Sequence, residues 1–260
     1  MKKRKQPLIL VTNDDGVDAK GIKRLIDAVK DFGRVIVVGP SMGRSGMSHA
    51  ITFGQPLRVR KVYECPDLQI YKTNGTSVDS VKIANRYILK NEKVDLLVSG
   101  INQGSNTSAS TIYSATVAAA MEGCLSGINA VAFSVANYTS DCDFEAAEEA
   151  VKQIVPKVLE NGLPKHVCLN VNIPNISKDR IKGYKITRQA DNYWKEELNE
   201  RFDPSGRAYF WMDGEMVRVD KKRDTDEWAV QHDYVSIMPV KTNLTAFESF
   251  EELKSWKLKK

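Results

Sequence analysis

Asn13-Asp14-Asp15-Gly16 sets two carboxylates side by side at the end of an apolar segment. Adjacent like charges repel, and holding them at the edge of a core costs free energy unless a cation or donors offset it. A divalent metal is the usual offset, although Asp-Gly is also a strong turn signal in its own right. Two further polar groups have a similar setting. Gly39-Pro40 leads into Ser41, Arg44, Ser45 and Ser48, with Gly43 and Gly46 allowing a tight path. Ser99-Gly100 leads into Asn102, Gly104, Ser105 and Asn106. Together they offer carboxylates, amide carbonyls and hydroxyls, with no thiolate and no obvious histidine partner. Such hard ligands suit Mg²⁺, Mn²⁺ or Ca²⁺ better than zinc. Ser114 then reads as the N-cap of a helix, and backbone N–H groups at a helix start, with nearby hydroxyls and amides, make an anion site. A hard cation beside a phosphate cradle points to phosphate-ester chemistry. His49 reads as a packed or surface histidine, and Glu122 as a solvated or interface residue.

The elements that must position these groups alternate between strand and helix. Leu8 to Val11 is a short continuous apolar run, as expected of a strand buried on both faces of a parallel sheet. Ile22, Leu25, Ile26 and Val29 recur at helical spacing, and Gly33 stands where that helix would end. Strands are expected at 35–38, at 94–98 ending on Ser99-Gly100, and at 130–135, with the Ser114 helix stopping near Gly127. This alternation predicts an α/β fold, a mostly parallel sheet with helices on both faces. In such sheets ligands bind at the carboxyl ends of strands, so the three polar turns are expected on one edge. A helix over 144–159, strands over 167–171 and 235–240, and a terminal helix over 247–256 are also expected. Between Tyr184 and Asp220 the pattern gives way to aromatic, charged segments that suit exposed hairpins or an arm. Exposed Trp and Tyr often mark subunit contacts.

The bulk composition belongs to a globular protein, 42% hydrophobic and 27% charged over 260 residues, with no apolar run long enough to span a bilayer. The net charge of +5 is modest, and part of it sits in Lys2-Lys3-Arg4-Lys5 and in Lys257, Lys259 and Lys260. No stable nucleic-acid partner and no membrane are expected, since basic and aromatic residues do not interleave. Only four apolar residues follow Lys5 before Asn13, too few for a signal peptide. Cys65, Cys124, Cys142 and Cys168 form no CxxC pair, so reduced thiols and a cytoplasmic location are the expectation.

Four segments, LVTNDDGVDAKGI, VVGPSMGRSGMSHAIT, VDLLVSGINQGSN and TIYSATVAAAMEG, closely resemble the motif blocks of the SurE family, the survival-protein E nucleotidases. LNVNIP, SGRAYFWMDG and DYVSIMPV look like later landmarks, so the resemblance covers nearly the whole chain. It implies a Rossmann-like core over residues 1–140. Residues 141–260 would complete that core and add an oligomerisation arm and a C-terminal helix. Exchange of C-terminal hairpin and helix elements would then build a homodimer or homotetramer. It implies a metal-dependent phosphomonoesterase, a 5′-nucleotidase acting on nucleoside 5′- and 3′-monophosphates, with some members also trimming polyphosphate. One divalent cation per subunit, Mg²⁺ or Mn²⁺, would be held by Asp14, Asp15, Ser45 and Asn102. Asp14 is the candidate to act on the attacking water, and Asn13 to position the turn or the substrate. Gly104, Ser105, Asn106, Ser114 and Thr116 are candidates for holding phosphate oxygens. Arg44 could neutralise phosphate charge or serve the surface. The chain departs from the family pattern at Ser77-Val78, at Ala115 and at Met238.

Three other readings stand beside this one. A haloacid-dehalogenase-like phosphatase would carry an aspartyl nucleophile in a DxD arrangement, whereas these aspartates are adjacent. A non-catalytic nucleotide or metal-binding stress protein could use the same site without turnover. A Rossmann dehydrogenase would need GxGxxG in the first turn, which is missing.

Overall fold

Strand β1 (Leu8–Thr12) is buried on both faces and lies at the centre of the molecule. Ile9 and Val11 face one hydrophobic cluster, while Leu8 and Leu10 face another. Each fully buried aliphatic of this kind contributes about 1.5–3 kcal/mol. The chain, a computed structural model, is described over residues 6–137, 139, 142–256 and 258. The basic ends noted above, Lys2 to Lys5 with Lys257, Lys259 and Lys260, lie outside the described residues.

After β1 come α1 (Lys20–Val29), β2 (Arg34–Pro40), the hairpin β3 (Val59–Cys65) and β4 (Leu68–Thr73), and α2 (Ser77–Ile83), which runs into a π-helical turn at Ala84–Ile88. Then follow β5 (Leu96–Gln103), the short α3 (Ser110–Tyr113), α4 (Ala115–Leu125), β6 (Asn129–Ala136), α5 (Glu145–Asn161), β7 (Val167–Pro174) and β8 (Gly183–Ile186). The chain closes with β9 (Tyr193–Phe202), β10 (Ala208–Val217), α6 (Asp226–Gln231), β11 (Tyr234–Lys241) and α7 (Phe250–Lys254).

Nine strands form one sheet in the order β3-β4-β2-β1-β5-β6-β7-β11-β8. The run from β4 through β7 is parallel throughout. β3 and β11 enter antiparallel, against β4 and β7. Helices α1 and α5 pack on one face, and α2 and α4 on the other. The expected parallel α/β sheet with covered faces is therefore present, and the ends of β1, β2 and β5 share one edge.

Several boundaries differ from the sequence reading. The third strand does not stop at Ser99-Gly100; β5 continues to Gln103 through an irregularity in its pairing with β6. Gly100 makes this continuation feasible, with φ of +129° and no room for a side chain. The arm starts later than expected, because β8 takes Tyr184 into the main sheet beside β11. The arm proper is the β9–β10 ribbon, whose strands pair only with each other. It exposes Leu198, Phe202, Phe210, Trp211 and Met212. The terminal helix is shorter than 247–256, with a 3₁₀ turn at Phe247–Ser249 before α7.

Cys124, Cys142 and Cys168 are buried and Cys65 is half-buried, and no disulfide joins them among the described residues. Among the described residues no helix is long and apolar enough to cross a membrane.

Candidate functional site at the carboxyl ends of β1 and β5

The first turn is closed from within. Asn13 Nδ2 donates to Gly16 O at 2.8 Å, and Gly16 has φ of +97°, a region an L side chain rarely adopts. This geometry carries the chain from β1 towards α1 while holding Asp14 buried and Asp15 half-buried. The loop after β2 is tied to the same turn, since Val17 N donates to Pro40 O at 3.1 Å and Arg44 N to Asp14 O at 2.7 Å. Ser45 is thereby carried to the residue next to this anchor, with its side chain exposed. From β5, Asn102 Nδ2 donates to Gly104 O at 2.8 Å, which leaves Oδ1 as the end open to a cation. Helix α4 adds Thr116, whose Oγ1 donates to Asp14 Oδ1 across 102 residues of sequence.

Electrostatics set this turn apart. Burial pushes the Asp14 carboxyl from its ordinary 3.8 up to about 6; the Thr116 hydroxyl works against the rise and the Asp15 charge adds to it. Burial also raises Asp15, opposed by the Gln103 backbone N–H beside it. Among the described residues no Lys or Arg offsets either carboxylate. Moreover, Thr12 Oγ1, Asn13 Oδ1 and Ser99 Oγ are buried without a hydrogen-bond partner, and Thr12 and Ser99 face each other in the β1–β5 register. Buried polar atoms are usually satisfied, so uncompensated carboxylates and orphaned oxygens at one strand end fit a hard, oxygen-seeking cation. Among the described residues no cluster of three or more His, Cys, Asp or Glu occurs. A cation here would rest on two carboxylates and neutral oxygens.

The other candidates divide. Ser114 caps α4, accepting from Val117 N at 3.1 Å, and Ala115 is an ordinary helical residue without positive φ, so the family glycine is not required there. Arg44 extends its guanidinium to Asn74 O at 3.2 Å, and its Nε is buried without a partner. Asn106 is held from several sides. Its N–H donates to Asn172 Oδ1 at 2.8 Å, its Nδ2 to Ser134 Oγ at 2.7 Å, and its carbonyl accepts from Asn170 Nδ2 at 2.8 Å. The segment from Gly104 to Ser108 is further anchored by Asp226, which accepts from Ser108 N at 2.9 Å.

Asn170 and Asn172 were not singled out as positioning residues from sequence. Their signal was available: two amides two apart on a strand, both fully buried, where apolar residues are the rule. The start of α2 is also secured despite Ser77-Val78. Thr76 and Asp79 form a reciprocal capping box, and Ser77 Oγ donates to Ala115 O at 2.9 Å.

Glu122 is not solvated within this chain. It is buried between Lys82 Nζ at 2.7 Å and His49 Nε2 at 3.1 Å. Burial opposes its charge, but the bonds from His49 and Lys82 prevail and hold its carboxyl below the ordinary range.

Because Thr116 orients Asp14 through one oxygen, Thr116→Val is expected to weaken metal-supported phosphate release about 10–100-fold, the usual cost of losing a group that orients a ligand. Titrating Mn²⁺ into the assay checks this; an unchanged midpoint and rate would discount the contact.

The chain is similar to known proteins over nearly its whole length. The family model described as Survival protein SurE matches residues 9–196. The 5′-nucleotidase SurE of Cytophaga hutchinsonii is 46% identical over 253 residues, 97% of this chain and 98% of that protein. That of Christiangramia forsetii is 46% identical over 260 residues, covering 98% of each. The crystal structure of the SurE protein from Aquifex aeolicus superposes with a TM-score of 0.84 at 39% identity, over 97% of this chain and 100% of that one.

Proposed function

The chain belongs to the SurE family, and on that premise we propose that it is a metal-dependent phosphomonoesterase. It releases phosphate from nucleoside 5′- and 3′-monophosphates, and polyphosphate trimming is a further capacity to be assayed. The observation that carries this reading is the pair of adjacent carboxylates, one buried and one half-buried and neither paired with a Lys or Arg among the described residues, on the edge that also presents Asn102 Oδ1.

Asp14, Asp15, Asn102 and Ser45 would hold one divalent cation, Mg²⁺ or Mn²⁺. When bound, such a cation polarises a phosphate oxygen and lowers the pKa of water. Thr116 fixes Oδ1 of Asp14, leaving Oδ2 as the atom to orient water and accept its proton. Asn13 spends its amide nitrogen on Gly16 and so holds the turn, while its buried Oδ1 is available to a donor. The Gly104 and Asn106 N–H groups are given to Val135 O and Asn172 Oδ1, so Ser105 and the start of α4 at Ser114 provide the setting for phosphate oxygens where charge develops. Arg44 contributes positive charge from the neighbouring loop.

In domain terms, residues 1–140 carry the site, while residues 141–260 complete the sheet and supply the arm. The exposed apolar residues of the β9–β10 ribbon support a homodimer or homotetramer built through this arm, and the solution mass by light scattering tests that.

The decisive assay is phosphate release from AMP and GMP. Activity should be lost in EDTA and return with Mg²⁺ or Mn²⁺, and saturating metal should raise Tm, as any ligand of the native state does. Nucleotide binding without turnover would instead favour the non-catalytic reading.

A further inference from the structure

Beyond the phosphate end of the site, a cavity of about 590 Å³ opens beside Ser105, over the carboxyl ends of β6 and β7. We propose that this cavity seats the nucleoside moiety of the substrate, with Trp194 as the stacking surface for the base. The proposal rests on the nucleotidase reading of the adjacent strand ends and names where the rest of the substrate lies.

Position is the first argument. Ser105 belongs to the same β5 exit as Asn102, so the cavity and the candidate metal site share one loop. The sheet order β1-β5-β6-β7 separates the β1–β5 edge from the β6–β7 edge by two strand spacings, roughly 10 Å. That is the span a mononucleotide needs between its phosphate and its base.

The chemistry of the walls is the second. Trp194 lines the cavity and is pinned by its indole Nε1, which donates to Ser110 Oγ at 3.2 Å. A ring fixed in this way can take a base by stacking without ordering a mobile side chain. Polar atoms remain to be met. Asn137 and Asn175 spend their Oδ1 atoms on Thr139 N and Asp143 N, which turns their Nδ2 donors to other use. Gln231 gives Nε2 to Glu227 at 2.8 Å and keeps its Oε1 as an acceptor. Arg218 commits Nε to Glu227 at 2.9 Å and retains its terminal amino groups. Such a set suits sugar hydroxyls and base edges.

Charge excludes a polyanion as the occupant. The Arg218 charge is balanced by Glu227, and the Asp233 carboxylate in the wall is balanced by Lys182. A polyphosphate tail would meet no net positive surface here, whereas an uncharged nucleoside meets an aromatic face and neutral amides.

The test compares AMP and GMP with glycerol 2-phosphate, which has the ester but no base, on the full-length protein in its native assembly. Trp194→Ala is expected to lower kcat/KM for AMP relative to glycerol 2-phosphate about tenfold or more, chiefly through KM, the size of one lost stacking contact. Trp194→Phe should restore most of it. Gln231→Ala, on a separate helix, should shift the same ratio in the same direction if Trp194→Ala does not fold. Calorimetry with adenosine alone should show binding to wild type that Trp194→Ala weakens.

An unchanged ratio in folded variants, with unchanged adenosine binding, overturns the proposal while leaving the nucleotidase reading intact. Adenosine binding that depends on Trp194, in a protein that hydrolyses neither ester, upholds the pocket and overturns the nucleotidase reading instead.

Discussion

Asp14→Asn is expected to remove phosphate release from AMP, with kcat lower by at least roughly 10³-fold, in a chain that keeps its fold. The amide has the shape of the carboxylate and can still accept from Thr116, so the packing of α4 against the first turn is retained. What disappears is a negative ligand for the cation and the oxygen that accepts a proton from water, effects that each reach 10² or more. Stability should move the other way. Burial has raised the Asp14 carboxyl from 3.8 to about 6, so the ionised form costs the metal-free fold roughly 3 kcal/mol at neutral pH. For a carboxyl raised on folding, this cost is absent below pH 3.8, grows between 3.8 and about 6, and is complete above. In EDTA at pH 7.5, Asp14→Asn should therefore melt above wild type, and the gap should close as the pH falls towards 4. Near-full, EDTA-sensitive activity in this variant would sink the metal-site assignment.

Gly100→Ala is expected to cost more stability than most single changes, about 3 kcal/mol or above, a large share of what a domain of this kind possesses. Two independent causes act at this position. Its φ of +129° is strained for any L side chain. An added Cβ would also stand 2.3 Å from Phe133 O, a backbone atom of β6 that cannot rotate away. Relief by shifting β5 is closed on the other side, where Gly21 of α1 packs so closely on Ile101 O that its own Cβ would lie 1.9 Å away. The damage falls two residues before Asn102, so remaining folded protein should also bind metal less tightly. Gly127→Ala is the contrast, with φ of +79° and open space around it, and should cost about 1 kcal/mol. Urea titrations of the three proteins decide it; a Gly100→Ala midpoint close to that of Gly127→Ala would refute the steric account.

What could be read from the sequence was whatever depends on local pattern and on the rules of parallel sheets. The runs at 8–11 and 35–38 became β1 and β2, and the three polar turns share an edge because β1 pairs in parallel with both β2 and β5. The two aspartates could be placed for the same reason. Long-range contacts were less accessible. Ser99-Gly100 looks like a strand end, yet β5 resumes its pairing with β6 at Asn102 and carries on to Gln103, with Gly100 packed against Phe133 O. Glu122 looked like a solvent-facing residue because its partners come from α2 and from the loop after β2, 40 and 73 positions away. Trp194 offered only an aromatic in an irregular stretch; its place beside Ser105 depends on the sheet being complete.

The Thr116–Asp14 contact has a consequence during synthesis. The two carboxylates are made before the hydroxyl that orients one of them, which arrives 102 positions later. β5, which supplies Asn102, is separated from β1 in register by 87 positions. Contacts of such separation close slowly, because the intervening chain must be ordered before they form. A nascent chain that has only reached β4 thus carries both aspartates but no site, and its acidic pair remains solvated. Only when β5 and α4 have emerged and docked can Asp14 leave water beside its half-buried neighbour, so on the metal-dependent reading metal capture would be confined to chains that have already completed their central sheet.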